Sequence, residues 1–132
     1  MQEFKTMDIS FCERKAQNII KSDAKSFILD YLKTKYNISI SDKYALMLND
    51  RSIKYISMNP HLISLKTTGS NYYLFLTKLN DVNTCLFIDR KVKHGYTLPR
   101  IISVKYRFDD TLFNDTLFDG ELVKDKNNNW MF

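Results

Sequence analysis

The chain has 132 residues, a formal net charge of +5 and a pI near 9.1, with 44% hydrophobic and 14% aromatic residues. That length and apolar content exclude an extended disordered chain and suit one domain that buries a core without metal or disulfide staples. The net charge is compatible with a phosphate-rich partner, nucleotide or nucleic acid, but the lysines are interleaved with acids and form no basic run, so a nonspecific electrostatic clamp is not the first expectation.

The first residues, Met1-Gln2-Glu3-Phe4-Lys5-Thr6, lack the basic-then-apolar layout of a signal peptide. No apolar run approaches the ~20 residues of a membrane span, so the protein is expected to be soluble, intracellular and independent of membranes. From residue 9 to 36, Phe11, Ala16, Ile19, Ile20, Ala24, Phe27, Ile28, Tyr31 and Leu32 recur at three- and four-residue spacing and predict a helix. Asp8 or Ser10 would cap it, Asn37 would end it, and Arg14, Lys15, Lys21, Lys25 and Lys33 would form its solvated face. Ser41-Asp42 before Lys43–Leu48 predicts a second, short helix. Asn49-Asp50-Arg51-Ser52 breaks it, and a short extended or helical piece follows through Ile53 to Ser57.

From Leu62 the period changes to two, and β-branched and aromatic residues dominate. Strands are expected at 62–66, 71–79, 83–90, 101–107, 115–124 and from Trp130, with Asn80-Asp81 as a hairpin turn and Lys93–Pro99 as a loop. Thr111-Leu112-Phe113-Asn114-Asp115 and Thr116-Leu117-Phe118-Asp119-Gly120 are nearly a tandem pentapeptide, too short for a repeat architecture. Helices first and a mainly antiparallel sheet afterwards give an α+β class. The chain stops at Phe132 within a fresh apolar strand, as the front part of a longer protein would.

Cys12 and Cys85 are far apart in apolar settings, and no CxxC, Cys/His cluster or HExxH is present, so two free thiols and no metal ligands are expected. His61 and His94 have no second ligand or nucleophile at usable spacing and are expected to be structural, while Trp130, Phe118 and Phe87 are expected in the core. The candidate nucleophile is Lys66, which an apolar run delivers to the turn Thr67-Thr68-Gly69-Ser70-Asn71. A lysine at a strand end is ordinarily solvated, but partial desolvation there would free its amine for attack.

Three features occur in order: Lys66-Thr67-Thr68-Gly69-Ser70-Asn71, then Leu86-Phe87-Ile88-Asp89-Arg90, then Thr116-Leu117-Phe118-Asp119-Gly120-Glu121-Leu122-Val123. Together they resemble the KxDGxR, IDR and TLLDGELV motifs of the covalent nucleotidyltransferases, most closely the mRNA-capping guanylyltransferases. Pro60–Leu65 and Tyr72–Leu76 resemble the family's approach to the lysine and exit from it. The resemblance covers residues 44–132 and implies a partial nucleotidyltransferase domain of the ATP-grasp-like ligase and capping type, behind an N-terminal helical segment at 1–43. It implies that Lys66 attacks the α-phosphate of GTP and passes GMP to 5′-diphosphate RNA, with Mg²⁺ or Mn²⁺ neutralising the triphosphate. Thr68, Gly69, Asn71, Arg90 and Glu121 would bind the nucleotide, Glu121 at the ribose and Arg90 at a phosphate. Other capping subunits or domains are implied partners.

Two positions depart from the pattern: the motif's aspartate is Thr68 here and its arginine is Asn71. Neither replacement carries the charge it displaces. They raise a second expectation, a non-catalytic nucleotide- or RNA-binding module of the same fold. An ATP-dependent polynucleotide ligase shares the lysine chemistry and is a third. Without Lys66 upstream, Glu121 would read as a hairpin-turn charge and Arg90 as a surface partner of Asp89. The abundance of Lys, Asn, Ile and Tyr is compatible with an AT-rich coding sequence of viral or plasmid origin.

Overall fold

The computed structural model describes residues 3–40 and 46–132. Two tight reversals build much of its sheet. Asn80 and Asp81 both take positive φ, 50° and 62°, the backbone of a hairpin turn whose twist matches its strands. They join β3 (Ser70–Leu79) to β4 (Val82–Asp89), as the sequence predicts. Cys12 and Glu13 do the same, at 50° and 63°, between β1 (Thr6–Phe11) and β2 (Arg14–Ile19).

That second hairpin corrects the helix expected across 9–36, and with it the expectation of helices first and sheet afterwards. Strand β2 is buried on both faces. Ala16 enters one core cluster and Ile19 the other, so buried residues three apart imitate helical spacing. Only the second half of the stretch is helical, α1 (Ser22–Tyr36), which buries Ala24, Ile28 and Leu32 at four-residue intervals. Its start has no side-chain cap, so neither Asp8 nor Ser10 serves, and Arg14 and Lys15 lie on β2. Its end is as predicted. Asn37 adopts the left-handed conformation at φ 55°, and Asn37 and Ile38 donate to the carbonyls of Lys33 and Leu32.

The short helix expected from Ser41 lies outside the described residues up to position 45, and 46–48 are not helical. Helix α2 (Ile53–Met58) forms but buries none of its residues. The strand expected at 62–66 is absent. Leu62, Ile63 and Leu65 are almost fully exposed and join no ladder among the described residues. Strand β5 (Ile101–Ser103) is shorter than expected; Val104 still donates to the Cys85 carbonyl, and the chain then leaves the sheet. Strands β6 (Thr116–Lys124) and β7 (Trp130–Met131) follow a 3-10 turn at Asp110–Phe113.

The described residues form a seven-stranded antiparallel sheet ordered β1-β2-β5-β4-β3-β6-β7, with two helices, a coarse α+β arrangement. Strands β3 and β4 lie at its centre, buried on both faces. On one face Phe75, Leu86, Ile88 and Ile101 pack with the buried side of α1. On the other, Phe11, Tyr72, Leu74, Phe87, Phe113 and Leu122 form an aromatic-rich cluster. Phe87 is core as expected, but Phe118 and Trp130 are about 40% exposed because β6 and β7 stand at the edge of the sheet. Burial pushes the Cys85 thiol up to about 12 and raises that of half-buried Cys12, leaving both protonated near neutral pH. No helix among the described residues is long and apolar enough to cross a membrane.

A single carboxylate ties α1 to the sheet. Asp115, itself at φ 64°, accepts hydrogen bonds from Tyr36 Oη at 2.7 Å, Lys35 Nζ at 2.9 Å, and Tyr31 Oη and Thr77 Oγ1 at 2.5 Å. Burial alone would raise its pKa. The donors outweigh burial and hold the carboxyl well below the usual carboxylate range.

Candidate active site

The antiparallel register of β3 with β6 gathers most of the candidate residues. It sets Ser70 opposite Leu122, Asn71 opposite Glu121 and Tyr73 opposite Asp119. Directly opposed residues share a face of the sheet, so Asn71, Tyr73, Asp119 and Glu121 all stand on the face that α1 covers further along. Strand β4 ends at Asp89, which pairs with Tyr72. Arg90 then follows, its amide donating to the Asn71 carbonyl at 3.1 Å.

Glu121 is therefore an interior strand residue, which removes the hairpin-turn alternative. Its Oε2 accepts a hydrogen bond from Thr67 Oγ1. The residue directly after the candidate nucleophile is thus tethered to the candidate ribose acceptor. Nothing in the sequence pattern singles out Thr67, because its importance depends on which strand lies alongside.

Arg90 is 8% exposed and does not pair with Asp89 as a surface ion pair. Its Nη1 donates to Asp119 Oδ1 at 2.9 Å, and its guanidinium lies 4.7 Å from the centre of the Tyr73 ring. The cation is anchored by the aromatic face of Tyr73 on the adjacent β3 and by the carboxylate of Asp119 on β6, one strand further. Asp89 instead accepts from the Lys91 backbone N–H at 2.9 Å.

Gly69 has a specific steric reason. A Cβ there would collide with the Leu122 carbonyl oxygen and the Val123 side chain, so only glycine lets the lysine loop run this close to β6. Asn71 is half-buried, and its Oδ1 is shielded from solvent with no hydrogen-bond partner. Gly69, Ser70 and Asn71 face Asp89, Lys91 and Lys93 across a cleft of about 490 Å³.

Lys66 and Thr68 are the members the structure does not bring in. Both are exposed and lie on the stretch before β3 that joins no strand, and neither makes a hydrogen bond or ion pair among the described residues. Lys66 is solvated, as a lysine at such a position ordinarily is, and the flanking Leu65 and Ile63 are themselves in solvent. His61 and His94 are exposed, and His61 Nδ1 lies 3.3 Å from the Asn59 carbonyl oxygen.

Residues 43–132, about two thirds of the chain, match the family model described as mRNA capping enzyme, catalytic domain. The matched stretch contains every candidate site residue. No curated protein matches the chain.

Proposed function

The chain belongs to the family of the mRNA capping enzyme catalytic domain, and on that premise we propose that it carries the lysine half-site of a guanylyltransferase. The observation that supports this best is the hydrogen bond from Thr67 to Glu121 beside the Asn71–Glu121 pair. It brings the lysine loop against the strand that supplies the ribose acceptor.

In the first step the deprotonated Lys66 Nζ attacks the α-phosphorus of GTP. A P–N bond forms, the bond to the bridging oxygen breaks, pyrophosphate leaves with the electron pair, and the amine gives up one proton to solvent. In the second, a terminal oxygen of 5′-diphosphate RNA attacks the same phosphorus, the P–N bond breaks and the lysine recovers its proton. Glu121 accepts from ribose hydroxyls, and Arg90, aligned by Asp119 and Tyr73, presents its guanidinium to the nucleotide. The exposed position of Lys66 leaves the nucleophile to be positioned when the nucleotide arrives.

Among the described residues no three His, Cys, Asp or Glu gather into a metal site. Mg²⁺ or Mn²⁺ enters this scheme only as the counterion of GTP, as part of the substrate.

A second assignment has its own support. Thr68 and Asn71 lack the charges of the family motif, and a solvated Lys66 suits a module that binds nucleotide or RNA without reacting. Intact mass after incubation with GTP and Mg²⁺, with Lys66→Ala in parallel, separates the two. A GMP-sized increase that vanishes in the variant supports the transferase. No increase in the wild-type chain sinks it and favours the binding module. An AMP-sized increase with ATP, undiminished by competing GTP, would move the chain to the ligase branch.

A further inference from the structure

We propose that the cleft between the lysine loop and the end of β4 is a polyphosphate subsite, in which Lys91 and Lys93 hold phosphoryl oxygens; the proposal rests on the guanylyltransferase reading and adds to it. The ligand chemistry is a phosphate chain, brought either by the triphosphate of GTP or by the 5′-diphosphate end of RNA.

Four observations converge. The cleft of about 490 Å³ falls within the range of small-molecule sites, roughly 300–1,000 Å³. One wall is Gly69–Asn71, the turn that follows Lys66 in the chain. The other wall carries two lysines that form no ion pair with any acid among the described residues. Their backbone is held in place: the Lys91 N–H is bonded to Asp89 Oδ1 at 2.9 Å, and the Tyr96 N–H closes a turn on the Lys93 carbonyl at 3.1 Å. The turn passes through Gly95 at φ +85°, a conformation that favours glycine.

Among the described residues Asp89 is the one carboxylate on the lining, outnumbered by the two ammonium groups. Asn71, also on the lining, has a buried Oδ1 that lacks a donor; turning the amide about χ2 would offer either of its ends to a sugar hydroxyl or a phosphoryl oxygen. Two point charges on a fixed turn, beside an amide that can both donate and accept, suit phosphate better than a neutral or cationic ligand.

The test is equilibrium binding at low ionic strength to inorganic tripolyphosphate, GTP, GMP, and one RNA sequence bearing either a 5′-diphosphate or a 5′-hydroxyl. The variants are K91A/K93A and K91R/K93R, with circular dichroism to verify the fold. Wild type should bind tripolyphosphate, K91A/K93A should lose about tenfold or more, and the arginine pair should stay within about threefold. A loss on GTP that spares GMP assigns the subsite to the triphosphate. A loss on diphosphate RNA that spares hydroxyl RNA assigns it to the transcript end. Wild-type chain that ignores tripolyphosphate, an alanine pair that binds like wild type, or equal losses on GMP and hydroxyl RNA would each overturn the proposal. These measurements need no covalent step, so their failure is distinct from a missing lysine–GMP adduct.

Discussion

Strand β3 has two very different ends. At Thr77 it is fastened to α1 and to the start of β6 through Asp115, which accepts from four side chains. At Asn71, about 20 Å away along the strand, a buried amide oxygen lacks a partner, and the preceding segment leaves the sheet altogether. One end is satisfied and packed. The other has close backbone approach, an anchored arginine and exposed cations, with unmet hydrogen-bonding capacity. Such asymmetry is expected where a stable element carries a site, because groups that wait for a ligand cannot also be saturated by the fold.

The contrast can be broken by mutation, and the largest effect should come from the packed side. Ile88→Ala, in a side chain with no exposure between α1 and the sheet, should destabilise by about 3–4 kcal/mol in urea unfolding. Ile63→Ala, on the exposed segment, should change stability by less than about 0.5 kcal/mol. Equal losses would show that the 62–66 segment is packed after all.

Asp115→Ala should cost about 2–3 kcal/mol, because it strips acceptors from Thr77 and Tyr31 at a part-buried site; the more exposed Lys35 contact adds little. The pH dependence gives a sharper test. The folded pKa of Asp115 lies below its unfolded value, so its contribution is fully present above the unfolded pKa of about 4 and is lost as pH falls toward the folded one. Asp115→Asn should flatten that acid limb of the stability–pH curve. An unchanged limb would mean that other carboxylates govern it.

At the site end, Gly69→Ala should cost about 1–3 kcal/mol, because the new methyl meets the Leu122 backbone carbonyl as well as the Val123 side chain. If the guanylyltransferase assignment holds, it should also slow adduct formation by displacing the loop that carries Lys66. The smallest expected change in stability is that of Glu121→Gln, within about 0.5 kcal/mol, yet it should reduce lysine–GMP formation by about tenfold or more. Normal adduct yield in Glu121→Gln would remove Glu121 from the site.

Much of the site could be read in the sequence because its motifs sit on central strands. Tyr72–Leu79 and Thr84–Asp89 are apolar on both faces, Asn80-Asp81 marks the reversal, and the TLFDGELV stretch is specific enough to identify a family without geometry. Ion-pair partners were less legible. Asp89 is adjacent to Arg90 in sequence, but successive residues of an extended chain point to opposite faces, and the arginine finds Asp119 on β6, across β3, instead. Thr67, Lys91 and Lys93 gain their places only from the pairing of β3 with β6 and β4.

The near-tandem pentapeptides mark the same boundary. Thr111-Leu112-Phe113-Asn114-Asp115 contributes to a 3-10 turn with Phe113 buried, whereas Thr116-Leu117-Phe118-Asp119-Gly120 lies in β6 with Phe118 half exposed. Local propensity is nearly identical in the two copies. Asp109 caps the first by accepting from the Thr111 amide, while the open edge of β3 captures the second. By itself, then, the sequence determined composition class, the central hairpin, the helix end at Asn37 and the identity of the motifs. Tertiary structure decided which strands those motifs share, that residues 6–19 extend the sheet, and that Lys66 stands in solvent. These outcomes depend on long-range pairing and two-sided burial, and neither leaves a periodic trace in the local sequence.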